Sequence, residues 1–185
     1  SDDCRSLLDH VDPLHGSARR AVQGPRVYVY SCMDRMQENL LRTQPAAEFF
    51  DADLPRNQYL TEFALHRALL ASPWRVDDPE DADLLFVPFY ARLAYPGDRS
   101  GTASQRSMHT KLTSGLAKCL RRSRHWQRSQ GADHVVVLSS TRDPRRLFGP
   151  AWPLLRDAYV LRVEGADRRF KDRGVLRPSS QVVVP

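Results

Sequence analysis

The most constraining feature of the sequence is a pair of short apolar runs in which no polar residue alternates. These runs read "LLFVPF" (84–89) and "VVVL" (135–138). Apolar side chains at consecutive positions predict a strand that is buried on both faces, which is typical of a central strand in a parallel sheet. Parallel strands in turn need long crossover connections, which are usually helices.

Further segments predict three more strands and the helices between them. The strands lie in "RVYVY" (26–30), at the end of "WPLLRDAYVLRVEG" (152–165) and in "SQVVVP" (180–185). Apolar residues at helical spacing predict helices in "NQYLTEFALHRALLAS" (57–72) and "QRSMHTKLTSGLAKCLRRS" (105–123). Strands that alternate with helices predict an α/β fold, a Rossmann-like parallel sheet flanked by helices.

The predicted domain occupies residues 25–185. Residues 1–24 are polar and lack strong periodicity, so we interpret them as an amino-terminal arm or linker. The chain begins with Ser rather than Met, and we expect it to be a processed or trimmed piece.

An acidic cluster precedes the first apolar run. Asp78, Pro79, Glu80 and Asp81 combine an Asx cap, a proline at the first helical position and acids in the first turn, so they predict one helical turn. At the other end of the run, Pro88 has no N–H group to donate, and we expect strand pairing to stop there.

Five residues are candidates for substrate contact. Tyr90 and Arg92 follow the first apolar run, where the carboxyl end of a parallel strand is predicted, and ligands of open α/β sheets bind at that end. Asp34, Arg35 and Ser139 complete the set. No residue is assigned a catalytic role.

Asp133 and His134 lie at the entrance of the second apolar run. A His–Asp pair can act as a general base near neutral pH. However, neighbouring residues on a strand point to opposite faces, and these two lie at the amino end, away from the predicted crevice. We therefore assign them a structural role, together with Asp83 and Pro88.

The basic residues are unusually rich in arginine. The formal net charge is +6, and all but three of the 28 basic residues are Arg. We attribute the bias chiefly to codon usage in a GC-rich genome; the alternative is a surface that binds phosphate, sulfate or carboxylate. The basic clusters at 121–128 and 167–177 lack interleaved aromatic residues that would stack on bases, which argues against nucleic-acid binding.

Several common sites are missing from the sequence. No CxxC motif occurs, which argues against a zinc site, and we expect no metal. No Gly-rich phosphate loop of either common type occurs, so no cofactor site is indicated. No run of about 18 apolar residues occurs that would span a membrane.

The chain has three cysteines, Cys4, Cys32 and Cys119. Cys4 and Cys32 flank the first predicted strand, so a disulfide between them is expected in an oxidising compartment. Cys119 lies among the apolar positions of a predicted helix, and we interpret it as a small buried hydrophobe.

Four blocks of the sequence resemble the exostosin-type glycosyltransferases. They are "VYVYSCMDRMQENLL" (27–41), "YLTEFALHRALLASPWRVDDPEDADLLFVPFY" (59–90), "WQRSQGADHVVV" (126–137) and "QVVVP" (181–185). The second block is the most specific; its matching positions are Tyr59, Glu62, His66, Leu69, Leu70, Arg75, Asp78, Pro79, Ala82, Asp83, Leu84, Phe86, Val87, Pro88 and Tyr90. The sequence departs from the family pattern at Ser31, where an acid is usual, and at Met33, where proline is usual.

The resemblance implies one half of a two-domain, inverting GT-B enzyme. In such an enzyme the amino half faces the acceptor and the carboxyl half binds the nucleotide-sugar donor. The chain resembles the amino half, so no cofactor is expected in it, and the expected partners are a polysaccharide or glycoprotein glycan and the missing donor domain. The resemblance also implies the Golgi lumen, with membrane attachment only through an absent anchor. A non-catalytic module that binds glycans or polyanions is the alternative.

Overall fold

The fold is a single parallel sheet covered by helices on both faces. A computed structural model describes residues 24–43, 60–97, 101–162 and 181–183. Six strands form the sheet in the order β2-β1-β3-β4-β5-β6, and every neighbouring pair is parallel. The strands are β1 Val27–Val29, β2 Arg75–Val76, β3 Leu84–Phe86, β4 His134–Leu138, β5 Tyr159–Arg162 and β6 Gln181–Val183. The predicted α/β fold is confirmed.

All five predicted strands are present, and a sixth was not predicted. Strand β2 has only two residues, Arg75 and Val76, and lies at the edge of the sheet beside β1. Its first residue is exposed and its second is half-buried, so it lacks the apolar signal of a buried strand. The predicted amino-terminal arm lies outside the described residues.

The described residues contain six α-helices. These are α1 Asp34–Arg42, α2 Thr61–Leu70, α3 Ala91–Ala94, α4 Ala103–Arg122, α5 Arg124–Ser129 and α6 Pro144–Phe148. The acidic cluster forms the predicted single turn, a 3-10 helix over Pro79–Asp81, and the Asp78 carboxylate accepts the backbone N–H of Glu80 at 2.9 Å. No helix in these ranges has the length and apolar content that crossing a membrane requires.

Neighbouring residues of the central strands pack against opposite faces of the sheet. Leu85 and Val136 belong to the larger apolar cluster, whereas Phe86 and Val137 belong to the smaller one. On the larger face, α4 contributes the fully buried side chains Leu112, Leu116 and Leu120. The consecutive apolar residues are thus explained by burial on two sides, which confirms the interpretation of the two runs.

A disulfide joins Cys32 to Cys119, so the predicted pairing of Cys32 with Cys4 is wrong. Helix α4 passes close to the chain that follows β1: a Cβ atom on Gly115 would lie 2.9 Å from the sulfur of Met36. Because Cys119 is one turn beyond Gly115 on the same helix face, it meets Cys32 across this contact. The sequence proximity of Cys4 to β1 carried no information about that contact.

Asp133 and His134 contact each other, contrary to the argument from strand alternation. Their Oδ1 and Nδ1 atoms are 2.6 Å apart. Asp133 belongs to the turn before β4, so the alternation of a strand does not apply to it. The His134 Nε2 atom lies 2.8 Å from the Tyr30 hydroxyl, and the imidazole packs edge-on against Trp126. These contacts join β4 to β1 and α5 within the core.

Asp83 forms a partly exposed ion pair with Arg26. The Arg26 backbone N–H donates to Asp83 at 2.8 Å, and the two charged groups approach to 3.2 Å. Both side chains are about half exposed, so the charge interaction contributes little and the backbone contact positions the start of β3 next to β1.

Candidate functional site

The topology places a crevice at the carboxyl ends of β1 and β3. Strands β2 and β3 lie on opposite sides of β1, so the connections from β1 and β3 leave the sheet in different directions. Ligands of open α/β sheets bind at this kind of switch point. We call a set of residues at this end of the sheet the carboxyl edge. It comprises 34–37 after β1, 88–92 after β3, 139–142 after β4, Arg162 at the end of β5, and Glu62 and His66 of α2, which contact the residues after β3 and β4.

Four polar side chains meet at the β1/β3 end of this edge. Helix α1 begins at Asp34, directly after the turn that leaves β1. One turn along α1, the buried Gln37 amide donates to the carbonyl of Pro88 at 3.1 Å. The Tyr90 hydroxyl, after β3, lies 2.8 Å from Nδ1 of His66 on α2. The switch point is therefore lined by polar groups drawn from three elements.

Burial changes the protonation of these groups. It lowers the pKa of His66 to about 4, so this imidazole is neutral at physiological pH. It raises the pKa of Tyr90, and the nearby Asp34 carboxylate raises it further, so the phenol stays protonated. Burial, reinforced by Glu38, also raises the pKa of Asp34. The cluster thus combines a neutral donor–acceptor pair with one carboxylate.

Glu62 ties the loops after β3 and β4 together. Its side chain is 2% exposed, and its two oxygens accept the backbone N–H groups of Arg92 at 3.2 Å and of Ser139 at 3.1 Å. His66, one turn further along α2, contacts the Tyr90 hydroxyl beside this pair of loops. Burial raises the pKa of Glu62 to about 7, although the two N–H groups favour the ionised form.

The raised pKa of Glu62 predicts a pH-dependent stability. Because the folded-state value of about 7 lies above the ordinary 4.5, the contribution of Glu62 is fully present below about pH 4.5 and is lost as the pH rises through 7. The loss corresponds to about 3 kcal/mol of unfolding free energy. Urea unfolding of wild type and Glu62→Gln at pH 5 and pH 8 tests this. We expect the wild type to lose more stability than the variant; equal losses would contradict the assignment.

Arg162 lies at the β4/β5 end of the carboxyl edge. It is the last residue of β5, pairs in register with Leu138, and is only 1% exposed. Its Nη2 atom donates to the carbonyl of Ser140 at 3.1 Å. Among the described residues, no carboxylate forms an ion pair with this guanidinium.

Buried polar atoms without a hydrogen-bond partner concentrate at this edge. Five of the six such atoms found in the described ranges lie there: Asp34 Oδ1, Gln37 Oε1, His66 Nε2, Ser139 Oγ and Arg162 Nε. Buried polar groups are normally hydrogen-bonded. A row of unsatisfied donors and acceptors at a switch point is suited to a ligand rich in hydroxyl groups. Within the same ranges, no three His, Cys, Asp or Glu residues come together as a metal site.

The five residues predicted to contact substrate differ in how far they are buried. Asp34 is half-buried at the crevice and Arg35 is exposed on α1. Tyr90 is 3% exposed and Ser139 is 4% exposed, so both lie in the wall of the edge. Arg92 is half-buried, and its backbone N–H is held by Glu62. Their roles in substrate binding stay predictions.

Sequence reasoning did not select Glu62, Gln37 or Arg162. The sequence did carry a signal for Glu62, because Glu62 and His66 are polar residues one turn apart in a segment rich in leucine. In the structure these two are the buried residues of α2. Similarly, Arg162 ends a strand whose second residue, Val160, is fully buried. Polar residues on an otherwise apolar face or strand were the clue.

Together, fold and site define an open α/β domain with a polar crevice at its switch point. The profile of the family described as Exostosin GT47 domain matches residues 21–162. The chain therefore belongs to this family, as the four sequence blocks predicted. No solved structure matches the chain.

The similar curated proteins are plant glycosyltransferases. A probable glucuronosyltransferase of Oryza sativa subsp. japonica is 33% identical over 62% of the chain and 25% of its own length. A probable arabinosyltransferase of Arabidopsis thaliana is 28% identical over 100% of the chain and 44% of its own length. A xyloglucan galactosyltransferase of Arabidopsis thaliana is 31% identical over 66% of the chain and 25% of its own length. The chain thus spans less than half the length of each of these relatives.

Proposed function

We propose that this chain is the acceptor-side half of an inverting, nucleotide-sugar-dependent glycosyltransferase that acts on polysaccharide or glycoprotein glycans. The observation that carries the proposal is the row of unsatisfied polar atoms at the carboxyl edge of a domain that belongs to the exostosin family. The relatives whose names specify transfer of glucuronate, arabinose and galactose support the reaction class. In this proposal the nucleotide of the donor is held mainly by a second domain of the full-length protein, across the crevice from the carboxyl edge, and the 185-residue chain is inactive on its own.

Asp34 is the residue best placed to act on the acceptor. In an inverting transfer the acceptor oxygen bonds to C1 of the donor sugar as the bond from C1 to the diphosphate oxygen breaks. The leaving diphosphate takes that bonding pair, and the acceptor proton passes to a base. Asp34 is the half-buried carboxylate at the switch point, and its Oδ1 has no partner. Its raised pKa improves its ability to take a proton.

We place the protein in the lumen of the Golgi apparatus. The disulfide between Cys32 and Cys119 supports an oxidising compartment, because disulfides are rare in the cytosol. A relative named for transfer of galactose to xyloglucan agrees with a role in polysaccharide synthesis.

Removing the Asp34 carboxylate should abolish most of the transfer activity. We expect Asp34→Asn in the full-length protein to lower kcat about 10²- to 10⁴-fold with little change in KM, the range for loss of a general base. Transfer is measured from nucleotide-activated glucuronate, xylose, galactose and arabinose to plant and animal glycan acceptors. The matched control is Asp81→Asn, which removes an exposed acid just before β3, at the opposite end of the strands from the crevice, and should retain wild-type kcat.

The same assay separates the two candidate classes. If the full-length protein binds acceptor glycans but transfers none of these sugars, that result would contradict the enzyme proposal and favour a non-catalytic glycan-binding module. Transfer by the wild type but equal activity of Asp34→Asn would keep the enzyme and remove Asp34 as the base.

A further inference from the structure

Arg162 is a buried cation without a counter-ion in the described part of the chain. The guanidinium is always ionised in proteins. Its side chain is 1% exposed, its Nε has no hydrogen-bond partner, and within the described residues the guanidinium donates only through Nη2, to the carbonyl of Ser140. An unpaired buried charge is strongly unfavourable, so proteins normally pair it with an anion.

Among the described residues, the contacts of Arg162 compensate its charge only weakly. A carbonyl oxygen carries only a partial charge, so Ser140 compensates the guanidinium poorly. A hydrogen bond to one carbonyl could be made by a neutral amide without burying a charge. In contrast, the buried Glu62 carboxyl has partners among the described residues, because its two oxygens accept two backbone N–H groups.

The position of Arg162 points to substrate. It ends β5 beside the loop that leaves β4, and ligands bind at this end of the strands. The loop is short and partly exposed: Ser140 is half-buried, whereas Thr141 and Arg142 are exposed. Nη2 donates to the Ser140 carbonyl of this loop and Nε has no partner, and the planar fork of a guanidinium matches a carboxylate or phosphate.

We propose that Arg162 binds an oxyanion of the saccharide substrate, which replaces the Ser140 carbonyl at Nη2 and also engages Nε. The oxyanion is either the carboxylate of a uronic acid in the acceptor glycan or a phosphate of the nucleotide-sugar donor. The inference rests on the proposed function, because it states that the substrate of the proposed glycosyltransferase carries a negative charge where it contacts Arg162. It differs from the earlier expectation of a general arginine surface because it assigns one buried residue.

Calorimetric binding to the full-length protein tests the site. The probes are an oligosaccharide that ends in glucuronate, the same oligosaccharide ending in glucose, and uridine diphosphate, all at one salt concentration. We expect one of the two anionic probes to bind at least about tenfold more tightly than the neutral one, and Arg162→Met to weaken that probe about 10- to 100-fold. Preference for the glucuronate probe assigns the acceptor, and preference for uridine diphosphate assigns the donor.

The unfolding midpoint of the variant shows whether a loss of binding comes from a loss of folding. Without ligand, we expect the unfolding midpoint of Arg162→Met to equal or exceed that of wild type, because a buried charge is replaced by an apolar side chain. The control, Arg156→Met, removes an exposed charge near β5 and should bind every probe as wild type does. A large drop in the midpoint of Arg162→Met would show a structural arginine and overturn the proposal. Equal binding of all probes, or unchanged anion binding by Arg162→Met, would overturn it as well.

The proposed function fails independently of this site. If Arg162 binds the anionic probe but the protein transfers no sugar, the oxyanion site is retained and the protein is a binding module. Sugar transfer without any effect of Arg162→Met on binding would retain the enzyme and remove the site.

Discussion

Replacing Glu62 with Ala should lower the free energy of unfolding by about 2–5 kcal/mol. The substitution leaves the backbone N–H groups of Arg92 and Ser139 without an acceptor in the core, and each unsatisfied buried donor costs about 1–3 kcal/mol. Because these two groups belong to the loops after β3 and β4, the variant also loosens the carboxyl edge. Urea unfolding near pH 5, below the raised pKa of Glu62, gives the largest difference.

Two further variants separate the hydrogen bonds of Glu62 from its size and charge. Glu62→Gln keeps the volume and one acceptor oxygen but turns an NH2 group toward the second N–H. We therefore expect its free energy of unfolding to lie between those of wild type and Glu62→Ala. Glu38→Ala removes an exposed acid from α1 and should change stability by less than about 0.5 kcal/mol. If Glu62→Ala were no more destabilising than Glu38→Ala, Glu62 would not hold the two loops together.

The sheet was predictable because its signal is local. A strand buried on both faces is apolar at consecutive positions, and this pattern marked β3 and β4 before any contact was known. The acidic turn before β3 was likewise predictable, since the Asp78 cap and Pro79 act within four residues. Strand β2 escaped because two residues at a sheet edge bury too little to leave a pattern.

The site was harder to predict because it depends on pairs of residues distant in the chain. Glu62 is 30 residues from Arg92 and 77 from Ser139. Its contacts are to backbone N–H groups, which every residue type except proline carries, so no complementary side chain marks them. The end of the sheet that carries the crevice followed from the predicted parallel strands, and Tyr90 was placed at that end of β3, although its hydroxyl contacts His66 in the wall.

Breaking the disulfide between Cys32 and Cys119 should lower the free energy of unfolding by about 2–5 kcal/mol. The bond closes a loop with a sequence separation of 87, and a crosslink over so long a segment removes much conformational freedom from the unfolded chain. In the folded state it fixes the chain after β1, next to Asp34, against α4. Urea unfolding of the Cys32→Ser and Cys119→Ser variants, with and without reductant, measures the loss.

A comparison of the stability losses among the cysteine variants identifies the bonded pair better than the size of any one loss. Each single variant breaks the same crosslink, so the double variant should be about as unstable as either one. Reductant should destabilise the wild type but not the Cys32→Ser, Cys119→Ser or double variant. Such non-additivity is expected when two residues act as one unit. Cys4→Ser is the matched control and should unfold like wild type, with Cys32 and Cys119 recovered in one crosslinked peptide under non-reducing conditions. If Cys4→Ser and Cys32→Ser were equally destabilised while Cys119→Ser unfolded like wild type, Cys32 would pair with Cys4, and the anchoring of the switch point to α4 would be wrong.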